Sequence, residues 1–377
     1  MILTDVKLFN FRNYKKLEFK PSNKITVFYG KNGSGKTNLL EAVHFCCLGR
    51  SQRTHQDRDM MMKNQSYTSA QLKTMRIDGR HDIELKLKNI GGKTVKTAHV
   101  FGKKCERISD MIGHASCVLF APEDMIIIKG GPQERRRFMD MQISQMRCRY
   151  LNELSAYNKV LKYRNIMLKD SYIKRIDEKQ MEAWEEILTD AGASVVNQRK
   201  WFLEYLNEVA APIYKNISGK NSENFTLEYS GQLKDCDDPH CIMQKHLKEN
   251  REIDIRRGST TFGPHKDDID FKLNGFSMKE YASQGQIRTA VLSLKLAMID
   301  IIWKEMGDKP ILLLDDVFSE LDPRRREALL EYVGDVQTFI TCTDLSDVAN
   351  AKADSYIRVE NTADGAVINI EKIGENQ

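Results

Sequence analysis

The chain has 377 residues, 41% hydrophobic and 29% charged, with 58 basic against 53 acidic side chains and a net charge of +5. That length suits one large domain or two lobes with real cores, and the composition excludes a disordered or fibrous chain. The small positive balance suits a polyanionic partner without requiring one.

No apolar run approaches the roughly 18 residues of a membrane span. The first residues, MILTDVKLFNFRNYKK, lack the basic-then-apolar layout of a secretory signal. The eight Cys show no C-x-x-C spacing, so reduced thiols in the cytoplasm are expected.

In chain order, residues 1–20 alternate apolar and polar (Ile2, Val6, Leu8, Phe11, then Leu17, Phe19), which predicts paired strands. KITVFY (24–29) predicts a short strand, followed by a glycine-rich loop and a helix to about Leu48. In DIELKLKNIGGKTVKTAHV the Gly91-Gly92 pair between alternating runs is a hairpin signal, and SCVLF (116–120) predicts a buried strand ending at Pro122. From Gln133 to about Lys169 the apolar residues step by three and four (Ile143, Met146, Tyr150, Leu154, Tyr157, Leu161). After a polar break at 170–177 the same period runs from Met181 to Val209. This predicts two long helices folded into an antiparallel hairpin, each reaching roughly 50 Å. Near the link lie Lys159, Lys162, Arg164, Lys169, Lys174 and Arg175, either a solvated helix face or a surface for phosphates.

Strand texture returns near 254. DIDFKLNGFSMKEY predicts a hairpin about Asn274-Gly275, followed by a helix over 286–306 and the strand PILLLDDVF. A helix from Pro323, the strand QTFITCTD and a closing hairpin, SYIRVENTADGAVINIEK, complete the chain. The expected organisation is an α/β lobe formed by 1–130 plus 252–377, with a helical lobe, 131–251, inserted into it.

Two motifs carry chemistry. Gly30-Lys31-Asn32-Gly33-Ser34-Gly35-Lys36-Thr37 fits G-x-x-x-x-G-K-[ST] between an expected strand and helix. Its glycines let backbone N–H groups turn onto phosphates, and the helix N-terminus adds positive potential. Lys36 is expected on the β- and γ-phosphates and Thr37 on Mg²⁺, with Asn38 next in the same cradle. Ile311-Leu312-Leu313-Leu314-Asp315-Asp316 is an apolar strand ending in two carboxylates, which burial tolerates only if something neutralises them. Asp315 is expected to hold the metal through water. Asp316 is expected to orient or deprotonate the attacking water, which makes Asp316 and Lys36 the catalytic pair. The competing reading is a pair of helix-capping acids. A third stretch, ASQGQIRT (282–289), precedes an apolar helix; by itself, Ser283 reads equally well as a helix cap.

The order of P-loop, Ser283-Gln284-Gly285-Gln286, Asp315-Asp316 and Ser319-Glu320-Leu321-Asp322 resembles the ABC-type ATPase head. LFNFRNY, GKNGSGKTNLLEAV, FAPEDM, GGPQERRRFMD, TTFGPHKDD, ASQGQIRTA and LLLDDVFSELD are similar, in that order, to the motif series of the RecF family of bacterial DNA replication and repair proteins. The resemblance implies an ABC-type P-loop head of α/β class, a mixed sheet with antiparallel hairpins, carrying an inserted helical arm. It implies a weak, DNA-stimulated ATPase with ATP and Mg²⁺ as cofactors, acting as an ATP-dependent homodimer. In such a dimer Ser283, Gly285 and Gln286 cap the γ-phosphate held by the other protomer's P-loop, and Arg12 and Asn13 lie near the nucleotide. It further implies binding of double-stranded DNA near single-strand gaps, action with RecR and RecO in loading RecA, and a place in the cytoplasm with the nucleoid.

Asp316 stands where most relatives of the motif place Glu, and Thr343 or Asp344 stands where a switch His is usual; both imply slow hydrolysis. Glu123 in APEDM occupies the place of a metal-binding amide. Arg50 and Arg53, with Ser51 and Thr54, are expected to meet a DNA backbone. Arg135-Arg136-Arg137 reads as a DNA contact or as a helix face paired with acids. GPHKDD (263–268) reads as a Pro-containing turn with Asp caps in preference to a metal cluster of His265, Asp267 and Asp268. Two rivals remain: the ATPase subunit of a membrane transporter, and a non-hydrolysing ATP-gated DNA clamp.

Overall fold

A computed structural model describes residues 1–54, 56–171, 173, 176–348, 351–363 and 365–371. The strands are β1 Ile2–Phe11, β2 Tyr14–Phe19, β3 Ile25–Tyr29, β4 Tyr67–Arg76, β5 Gly79–Ile90, β6 Lys93–Val100, β7 Lys103–Lys104 and β8 Cys117–Phe120. They continue with β9 Phe225–Ser230, β10 Asp268–Leu273, β11 Phe276–Ser277, β12 Ile311–Asp315, β13 Thr338–Cys342, β14 Ser355–Thr362 and β15 Gly365–Glu371. The helices are α1 Lys36–Leu48, α2 Ile126–Lys129, α3 Pro132–Met146, α4 Cys148–Asp170 and α5 Glu178–Ser218. After them come α6 Pro239–Glu249, α7 Arg251–Arg257, α8 Met278–Tyr281, α9 Gln284–Met306 and α10 Pro323–Val333.

The chain divides into two compact units. The first comprises Met1–Met125, Ile213–Lys220 and Arg288–Gln377. Its central sheet has the order β15-β14-β3-β13-β12-β8, parallel from β14 to β8. Every residue of β12 and β13 is buried, as expected of apolar strands covered on both faces. Register does the important work: Asp315 pairs with Thr341, and Thr341 with Phe28. The carboxyl ends of three parallel strands thus bring the P-loop and the two acids to one edge, where α/β folds place ligands. A second sheet, β2-β1-β4-β5-β6-β7, is antiparallel, with buried and part-exposed residues alternating along β4 and β5. Between Ile90 and Lys93 the Gly91-Gly92 hairpin forms as expected.

The second unit comprises Ile126–Pro212 and Asn221–Ile287. Tyr157, Val160, Leu188, Met243, Leu247 and Phe262 form part of its apolar core. Buried arginines cross-link its helices. Arg164 Nη1 donates to Asp254 (2.7 Å) and Thr260 (2.8 Å), and its Nη2 to Glu185 (2.9 Å). Arg199 donates to Asp140 and Asp267, both at 2.8 Å.

Three expectations need correction. The first arm is not one helix: Arg147 leaves helical geometry (φ −132°, ψ 94°) between α3 and α4, and its guanidinium stacks 3.3 Å from the centre of the Trp201 ring. Arg164 belongs to the core and not to a phosphate-facing surface, while Lys174 and Arg175 lie outside the described residues. The return to the α/β lobe comes at 288 instead of 252, because β10 pairs with β9 and β11 in a separate three-stranded sheet. Residues 213–220, the end of the 41-residue α5 and the two residues after it, fall with the first unit immediately after Pro212. The β10–β11 turn itself matches expectation, with Asn274 and Gly275 at φ +53° and +82°.

Candidate nucleotide-binding site

The loop between β3 and α1 is shaped by its glycines. Gly30, Gly33 and Gly35 have φ of +149°, +78° and +117°. A Cβ at Gly30 would come within 2.3 Å of the Val359 carbonyl oxygen, and one at Gly35 within 2.7 Å of Asn13 Nδ2. Lys36 Nζ donates to the carbonyls of Gly30 (2.6 Å) and Lys31 (3.1 Å), folding the ammonium over the loop. Burial lowers the Lys36 pKa, opposed chiefly by the nearby Asp316 charge. Asn13, expected near the nucleotide, donates to the Ser34 carbonyl (3.1 Å) and accepts from Asn38 Nδ2 (2.9 Å), so it braces the loop. Arg12 is held differently: Nε and Nη2 form a fork on the buried Glu41 (2.8 and 2.6 Å), and Nη1 reaches the Asp59 carbonyl. Ser51 also donates to Glu41, and Arg53 Nη1 bonds Asn38 (3.1 Å), so the segment after α1 is tied to the P-loop helix. Arg50 is exposed, and the Arg53 side chain is 47% exposed.

The acids face this loop. Thr37 Oγ1 and Thr341 Oγ1 both donate to Asp315 Oδ1, at 2.8 and 2.7 Å, and Thr341 accepts from the Asp316 N–H at 2.9 Å. Burial holds the Asp315 carboxyl above the ordinary carboxylate range, against the hydrogen bonds from Thr341 and Thr37. Asp316 has φ +52°, and its Oδ1 is buried without a partner; so is Ser34 Oγ in the loop. Buried polar atoms without partners are costly, and here two of them flank the same loop and strand end. Oxygen donors and a buried carboxylate oxygen without a hydrogen-bond partner suit a hard divalent cation, and glycine backbone plus Lys36 suits phosphates. The residues fit a nucleoside triphosphate with Mg²⁺: Gly30–Asn38 for the phosphates, Thr37 and Asp315 for the metal. Glu123 is exposed, and its charge adds to the burial that raises Asp315, so it stands near the metal position without a shown role. Its neighbour Asp124 is structural, paired with Lys295 at 2.7 Å.

The signature stretch lies in the second unit. Ser283 Oγ accepts from Gln286 N (3.3 Å) while Gln286 Oε1 accepts from Ser283 N (2.8 Å), a reciprocal capping box at the start of α9. Other expectations fall to structural roles. Arg135 is buried against Asp268 (Nη2 to Oδ2, 2.8 Å) and Arg136 donates to the Asp267 carbonyl. His265 bonds Tyr157 and Thr260, and Asp267 pairs with Arg199. Pro264–Lys266 is a 3₁₀ turn ahead of β10, and no His, Cys, Asp and Glu grouping fit for a metal occurs among the described residues. Sequence reasoning missed Thr341 and Glu41. The Leu-Asp-Asp strand pointed to the acids but not to the neighbouring strand's hydroxyl.

A P-loop at a parallel strand end, two acids at the end of β12, one strand beyond the P-loop strand's neighbour β13, and an inserted helical unit define the ATPase-head class, and comparison agrees. The model described as RecF/RecN/SMC N terminal domain matches residues 2–367. Two Smc head structures from Pyrococcus furiosus and Pyrococcus yayanosii superpose with TM-scores of 0.57 and 0.58 at 17% and 14% identity, covering 99% of this chain and 96% and 97% of theirs; they support the fold alone. Within that class the chain belongs to the RecF family. It is 39% identical over 357 residues to the DNA replication and repair protein RecF of Alkaliphilus oremlandii (93% of this chain, 96% of that one). It is 42% identical over 353 residues to that of Shouchella clausii (92% and 94%). A solved structure described as the recombination mediator protein RecF-ATP in the RecFOR pathway superposes with a TM-score of 0.90 at 33% identity, covering 98% of each chain. No helix among the described residues is long and apolar enough to cross a membrane.

Proposed function

We propose that the protein binds ATP with Mg²⁺ at Gly30–Asn38, Thr37 and Asp315, and that this binding assembles two protomers head to tail. Each protomer's Ser283, Gly285 and Gln286 then close on the γ-phosphate held by the other's Lys36, and Arg12 and Asn13 shape the loop around it. The observation that carries the reading is the unpaired Asp316 Oδ1 beside an Asp315 raised by burial. A cation with its phosphates would give that oxygen a partner and offset the burial of Asp315. When bound, Mg²⁺·ATP supplies the phosphoanhydride to be cleaved and the cation that offsets Asp315. Asp316 accepts the proton of the attacking water, Thr341 fixes both acids, and Lys36 meets the charge on the γ-phosphate. Asp316 is short and its backbone constrained, so hydrolysis is slow and times release.

The assembled dimer holds duplex DNA near single-strand gaps through phosphate contacts that include Arg50 and Arg53, weakens with salt, and helps RecO and RecR to load RecA. The relatives' printed name and the RecFOR pathway of the solved neighbour support this part. The clamp acts in the cytoplasm. Solution mass and duplex binding, with and without Mg·ATP, test it for wild type, Lys36→Met and Ser283→Arg. Wild type should dimerise only with nucleotide, and both variants should stay monomeric. A wild type that stays monomeric with ATP and DNA overturns the proposal.

A further inference from the structure

Glu223 is 7% exposed on the segment between α5 and β9, a position that no motif marks. Its Oε1 accepts from Gln286 Nε2 at 3.0 Å. The other end of the same amide, Gln286 Oε1, accepts from Ser283 N at 2.8 Å. Gln286 is therefore a two-ended bridge, and its two ends are not equivalent. An amide can present either oxygen or nitrogen at a given place, and only its surroundings decide which. An ionised carboxylate is an acceptor only, so it takes the NH₂ end and forces the oxygen toward Ser283 N. The flipped amide would set NH₂ against the Ser283 N–H, two donors face to face, and the capping box would open.

We propose that Glu223 is a positioning residue for the signature: through the Gln286 amide it fixes the Ser283 backbone and, with it, the direction of the Ser283 hydroxyl. In the closed box, Ser283 Oγ accepts from Gln286 N, so its own proton stays available to a phosphate oxygen. The ligand class is the terminal phosphate of a nucleoside triphosphate held by a second copy of the chain. The inference rests on the two-half-site reading above. Glu223 acts on the capping half alone, and the P-loop half is untouched.

The test compares Glu223→Ala, Glu223→Gln and wild type in sedimentation velocity with Mg·ATP. A fluorescent ATP analogue reports binding to the isolated protomer's own P-loop, and melting temperature is followed in parallel. Loss of one hydrogen bond to a charged group predicts about tenfold weaker nucleotide-dependent dimerisation in Glu223→Ala. Analogue binding and melting should stay close to wild type. Glu223→Gln keeps an acceptor oxygen for Gln286 Nε2 and should restore dimerisation to within about threefold of wild type. Wild-type dimerisation in Glu223→Ala, an equal defect in Glu223→Gln, or a fall in analogue affinity or melting that accounts for the loss each overturns the positioning role. A wild type that never changes mass with Mg·ATP removes the two-half-site reading itself, and this inference with it.

Discussion

The helical unit and the P-loop edge both bury charge, and they treat it in opposite ways. In the helical unit, Arg199 is 2% exposed and meets Asp140, Asp267, the Tyr150 hydroxyl and the Pro264 carbonyl. Arg164, fully buried, is matched by Asp254, Glu185 and Thr260. At the P-loop edge the ledger is left open: Asp315 is raised by burial, Asp316 Oδ1 has no partner, and Lys36 rests on carbonyls. The helical unit's buried charges are matched within the chain, and the P-loop edge keeps a buried carboxylate oxygen without a hydrogen-bond partner.

The contrast can be broken most forcefully on its satisfied side. Arg199→Met strands the buried Asp267 and should cost about 3–5 kcal/mol in urea unfolding. A loss below about 1 kcal/mol would show that the network is decorative. On the open side, Lys36→Met should weaken ATP binding about 100-fold, the scale of a charge-assisted contact, with the urea midpoint nearly unchanged. Equal ATP titrations for variant and wild type would remove Lys36 from the site. Thr341→Val probes the joint between the acids. It should slow steady-state ATP hydrolysis about tenfold with little change in ATP affinity, the value of roughly one positioning hydrogen bond. A variant that hydrolyses at the wild-type rate removes Thr341 from that role.

The smallest effect is a pH dependence in the helical unit. Burial lowers the His265 pKa to about 4 from an ordinary value near 6.5, so the unfolded chain binds the proton more readily. Its contribution is therefore fully present above pH 6.5 and lost as pH falls toward 4. Melting temperature should drop between pH 7 and pH 5 in wild type, and less so in His265→Gln; identical drops in the two proteins would exclude His265 as the cause.

The same contrast explains what the sequence could and could not reveal. The P-loop, the apolar strand with its acids and the Asn274-Gly275 turn are local, with each residue's reason lying within a few neighbours. Arg164 was unreadable because its partners lie far along the chain, at Glu185, Asp254 and Thr260, so a buried clasp looked like one more basic residue on a helix. The break at Arg147 carries neither Gly nor Pro, and the apolar period runs through it undisturbed. Glu223 and Thr341 matter only through side chains that folding brings to them.

Asp316 has one more consequence. Its φ of +52° is a backbone state that Asp and Asn adopt far more readily than longer side chains. Replacing it with Glu would lengthen the reach and also strain the turn. The short acid and the turned backbone therefore go together. An acid one methylene longer calls for a strand end rebuilt around it.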